Sequence, residues 1–168
     1  IERLNTATDS TISSTVYPSW HPSGRYIAFS VNATKLITLP DESNRVEVFD
    51  SASDVVVYDT ERHELYSVPE LMRGDRFETF PSFSPAGDKL YFCTADSVEM
   101  PARYKEARYS LCSIGFDAAS GRLGRDVDTL CNARTTGRSV SFPRVSPDGA
   151  FMLYALSDYG TFSIWHRD

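Results

Sequence analysis

The sequence lacks most of what would announce a chemistry. Basic residues are outnumbered, 17 Lys and Arg against 23 Asp and Glu, for a formal net charge of −6 over 168 residues. Nucleic-acid binding needs a basic stripe that displaces counterions from phosphates, so that class is excluded and the acidity reads as solubility. The one basic cluster, MPARYKEARY at 100–109, is diluted by Glu99 and Glu106. No apolar run is long enough to span a bilayer, and the mean hydropathy is −0.31; we expect no direct membrane insertion. Cysteines are few: Cys93, Cys112 and Cys131 are odd in number and at no metal-ligand spacing. Histidines are equally scarce, with His21 and His63 in turns and His166 in an expected strand. Neither G-x-S-x-G nor H-E-x-x-H occurs, and the serines fall in turns and polar connections, where their local hydrogen bonding favours them. We therefore expect no catalytic residue, no cofactor and no metal. An initiator Met, a signal peptide and a lipidation signal are also missing, which leads us to expect a fragment whose targeting segment lies elsewhere.

What is present is a repeat. Residues 17–29 read YPSWHPSGRYIAF, residues 80–92 FPSFSPAGDKLYF and residues 142–154 FPRVSPDGAFMLY. In each copy a Ser or His (His21, Ser84, Ser146) precedes a proline, and a glycine follows two positions later (Gly24, Gly87, Gly149). A type I turn wants this order: a small polar acceptor first, a proline with preset φ second, and glycine fourth. With that glycine left-handed, the turn joins two antiparallel strands as a three-residue hairpin loop with a bulge.

The second strand of each hairpin, RYIAFS, KLYFCT or AFMLYAL, is almost continuously apolar, so it must be covered on both faces. No long segment carries a 3.6-residue period, so the cover must be other sheets. Apolar runs ending at Asp59 and Asp117, each followed by a polar turn and a shorter strand, complete four-stranded antiparallel units. Their boundaries are about 17–68, 80–130 and 142–168; the last unit is incomplete, and residues 1–4 are the tail of a preceding unit's outer strand. The expected fold is all-β: four-stranded units stacking radially as blades of a β-propeller, a partial one spanning 1–168.

The pattern aromatic-Pro-x-aromatic-Ser-Pro-x-Gly-x-x-aliphatic-x-aromatic resembles the propeller repeats of the TolB-like family. That family is related in kind to WD-repeat propellers and to the propeller domains of prolyl oligopeptidase-type peptidases. His21 replaces the turn Ser, and two copies lack Asp before the glycine. The resemblance implies a non-enzymatic scaffold that binds a protein or peptide, and a periplasmic or otherwise exported location. The alternative is the gating propeller of a larger hydrolase, with its catalytic residues outside this chain.

The connections carry the remaining information. The hairpin turns on one face are tight, whereas 31–53, 69–79, 96–109 and 131–141 on the other are long. Loops tolerate insertion and carry recognition. The candidate partner-binding residues on that side are Asp50, Asp54, Arg103, Tyr104, Asp158 and Tyr159, a mixture of charge and tyrosine suited to a protein contact; ordinary solvated loops are the competing reading. On the inner strands Ser19, Ser82 and Arg144 occupy equivalent positions. Arg144 either places a cation on the channel wall or bonds the neighbouring blade. Cys93 aligns with Ser30 and Ala155 as a small buried filler; a Cys93–Cys112 disulfide is the alternative, on strands that seldom satisfy the geometry. A helical turn is expected near 100–108, opened by Pro101. The open ends of a partial propeller need the remaining blades of the chain or a second copy to cover them.

Overall fold

The computed structural model describes residues 14–32, 53–72, 76–96 and 108–158. Three antiparallel sheets follow one another along the chain. Sheet 1 is formed in order by β1 (Ser14–Trp20), β2 (Tyr26–Asn32), β3 (Ser53–Asp59) and β4 (Glu64–Tyr66). Sheet 2 is formed by β5 (Arg76–Phe83), β6 (Lys89–Asp96), β7 (Ser110–Asp117) and β8 (Arg122–Cys131). Sheet 3 pairs β9 (Ser139–Val145) with β10 (Met152–Ser157). Two short helical turns, Pro69–Leu71 and Ala133–Thr136, lie in the connections. The second of these is set by its ends: the Asn132 side chain accepts from the N–H of Arg134, and Gly137 closes the turn at φ 69. The expected helical turn near 100–108 and the strand holding His166 lie outside the described residues.

The repeated turn forms in all three copies. Gly24, Gly87 and Gly149 adopt φ of 76, 75 and 73, and each N–H donates to the carbonyl of His21, Ser84 or Ser146 at 2.9, 3.0 and 2.8 Å. The strands close one residue later than expected. His21 N–H donates to the Tyr26 carbonyl, and Ser84 and Ser146 repeat the bond to Lys89 and Phe151. The loop therefore spans 22–25 and its equivalents, one residue longer than a three-residue loop.

The continuous apolar strands are explained by cover on both sides. Tyr26, Ala28, Val55 and Val57 of sheet 1 share one core with Phe83, Leu90, Phe92, Ile114 and Phe116 of sheet 2. The opposite face of sheet 2, with Phe77, Phe80, Cys93, Ala95 and Leu111, shares a second core with Val140 and Met152 of sheet 3. Alternation along the strands thus gives each sheet a forward face toward its successor and a backward face toward its predecessor. All three cysteines are free. Cys112 faces backward into the first core and Cys93 forward into the second, so cross-strand thiols on opposite faces form no disulfide.

Candidate partner-binding face

The inner strands hold a feature the motif did not reveal. Tyr17, Phe80 and Phe142, the residues before the repeated prolines, have φ of 57, 53 and 53. Each sits in a β-bulge: the register of β1 and β2 jumps between Val16 and Ser19, that of β5 and β6 between Thr79 and Ser82, and that of β9 and β10 opposite Leu153 and Ala155. A left-handed conformation costs a non-glycine residue about 1–2 kcal/mol. Ring packing between sheets offsets it: Tyr17 and Phe80 lie 4.6 Å apart by centroid, and Phe80 and Phe142 4.4 Å, contacts worth about 0.5–1.5 kcal/mol each beyond burial. The three rings form a row along the edge strands β1, β5 and β9, and burial raises the Tyr17 hydroxyl above its ordinary pKa.

His21 is a structural residue. It is buried, with its ring edge-on to Phe83 at 5.0 Å and near Phe116 at 5.2 Å. Ser23 N–H donates to Nδ1 at 3.1 Å, which fixes the other nitrogen as the donor to the Gly87 carbonyl at 3.0 Å. His63, in a turn at φ 58, meets the Tyr58 hydroxyl at 2.9 Å through Nδ1.

The two ends of the sheets differ. At the tight-turn end, Asp59 is a fully buried carboxylate that accepts from Arg25 Nε and Nη2 at 3.0 and 2.6 Å and from the N–H of Glu61 at 2.9 Å. The Arg25 guanidinium, assisted by those backbone donors, holds its pKa down at about 2. Asp54 is the second residue of the same strand, at the long-connection end, where it pairs in register with Val31. It is half-buried within β3, and burial pushes its carboxyl up to about 6.

Asp158 anchors the long-connection end of sheets 2 and 3. Its carboxylate pairs with Arg138 at 2.7 Å, and its carbonyl accepts from Arg108 Nη2 at 3.2 Å. Arg108 Nε also donates to the Gly137 carbonyl at 3.0 Å, tying the start of β9, the end of β10 and the approach to β7 together. Arg144 is exposed and donates to the Pro143 carbonyl at 2.8 Å. At the equivalent place in sheet 1, the Ser19 hydroxyl accepts the Phe83 N–H at 3.1 Å across the junction. Of the candidate residues, Asp54 is therefore placed on sheet 1, whereas Arg144 lies in β9 and Asp158 directly after β10, both belonging to sheet 3; Asp50, Arg103, Tyr104 and Tyr159 lie outside the described residues.

Between sheet 2 and the Pro69–Leu71 turn lies a hollow of about 150 Å³ lined by Glu70, Arg76, Glu78, Phe92, Thr94, Arg125 and Val127. Arg125 Nε meets Glu70 at 2.7 Å and holds its carboxyl below the usual range. The space suits a few waters rather than a peptide. Burial raises the Cys93 and Cys112 thiols, which keeps them protonated and unreactive.

No family model and no curated protein matches the chain. Among solved structures 18 chains match. One is described as TolB from Agrobacterium tumefaciens: 16% identity, a TM-score of 0.56, and coverage of 86% of this chain and 39% of that one. The likeness shows a TolB-like fold, of which this chain spans well under half the length.

Proposed function

We propose that the chain is part of a non-enzymatic β-propeller scaffold that holds a protein or peptide partner on its long-connection face, in the periplasm or another exported compartment. The observation that carries this reading is the asymmetry of the sheet ends in a TolB-like fold. Turns 22–25, 85–88 and 147–150 are short and internally bonded, while 33–52 and 97–109 join strands at the opposite end. The short turns leave little to recognise, whereas the long connections carry Asp50, Arg103 and Tyr104, and Tyr159 follows Asp158 in the sequence. Tyrosines at the contact centre carry the binding energy, and charges tune association.

The test is capture of partners from an extract of the native host, scored against melting temperature. Tyr104→Ala, Tyr159→Ala and Asp158→Arg weaken capture while the melting temperature stays close to that of the wild type. Glu61→Arg, Arg62→Glu and Arg122→Glu on the tight-turn face leave capture intact. The opposite pattern moves the working face to the turns.

A further inference from the structure

No further inference is drawn: the strongest candidate, the exposed apolar face of sheet 3 that carries Phe151 and Leu153, supports none because nothing among the described residues shows what covers it.

Discussion

The two junctions between sheets use the same repeat but different bonds. Between sheets 1 and 2, side chains reach across along the whole seam. His21 meets Gly87, the Tyr26 hydroxyl donates to the Ala118 carbonyl at 3.0 Å, Ser19 accepts from Phe83, and Ser53 donates to the Glu78 carbonyl at 3.0 Å. Between sheets 2 and 3, the polar links gather at the long-connection end, where the Val140 N–H donates to the Tyr109 carbonyl at 2.9 Å and the Tyr109 N–H to Ser139 at 3.0 Å. Elsewhere that junction rests on apolar contact, with Phe80 against Phe142. What recurs is backbone: a left-handed glycine at each turn and a left-handed aromatic in each bulge. The side-chain bonds across the seam vary freely, because any pairing that satisfies the buried groups will do.

The largest effect comes from the glycine that serves both roles. A Cβ on Gly87 would lie 2.3 Å from His21 Nε2, whereas one on Gly149 would meet nothing within 4 Å, although both glycines have similar φ. Gly149→Ala carries only the left-handed penalty of about 1–2 kcal/mol. Gly87→Ala adds displacement of the His21 ring from its aromatic pocket, for a total above about 3 kcal/mol, and Gly87→Val costs more still. Urea denaturation of the two alanine variants separates strain from clash. Equal losses at both positions would mean that His21 yields without cost and the first junction is no tighter than the second.

Much of this was legible, and what was not has a physical reason. The turn glycines could be read from sequence because proline and glycine fix φ locally, and the doubly covered strands because cover on both faces removes alternation. The left-handed aromatics could not be read. The residue before a proline is biased toward extended backbone, so local rules point away from the conformation that Tyr17, Phe80 and Phe142 adopt; only packing between sheets selects it. His21 looked like a departure from the turn pattern because its partner, Gly87, is distant in sequence. The helix at Ala133–Thr136 was signalled by Asn132 and Gly137, but a segment this short shows no hydrophobic period. Asp54, counted with the loop residues, is instead the second residue of β3, because the strand starts within the polar run SASD at Ser53.

The ends of β3 give a second, smaller contrast. Asp59 has its carboxyl lowered to about 2 by Arg25 and the turn N–H groups. The stability it contributes is complete above the unfolded value near 4 and is lost as pH falls through 2. Asp54 has its carboxyl raised to about 6 by burial. The stability linked to it is complete below about 4 and is lost as pH rises through 6. Unfolding midpoints measured from pH 2 to 8 show the two separately: Asp59→Asn flattens the acid limb, and Asp54→Asn removes the decline between about pH 4 and 6, stabilising the chain at neutral pH by roughly 1 kcal/mol after allowance for its partial exposure. An Asp54→Asn chain that loses stability at neutral pH would mean that the charged carboxylate is used by the fold.

The smallest effect distinguishes a closed seam from an open one. Ser19 and Arg144 stand at equivalent positions, one bonded to the backbone of sheet 2 and the other exposed among the described residues. Ser19→Ala removes the acceptor of the Phe83 N–H, and Phe83 is buried, so the donor is left without its bond at a cost of about 1–2 kcal/mol. Arg144→Ala removes an exposed side chain whose bond to the Pro143 carbonyl is replaceable by water, and costs less than about 0.5 kcal/mol. Thermal unfolding of the two variants measures both. An Arg144→Ala loss as large as that of Ser19→Ala would mean that the fold depends on the guanidinium as it does on the Ser19 hydroxyl.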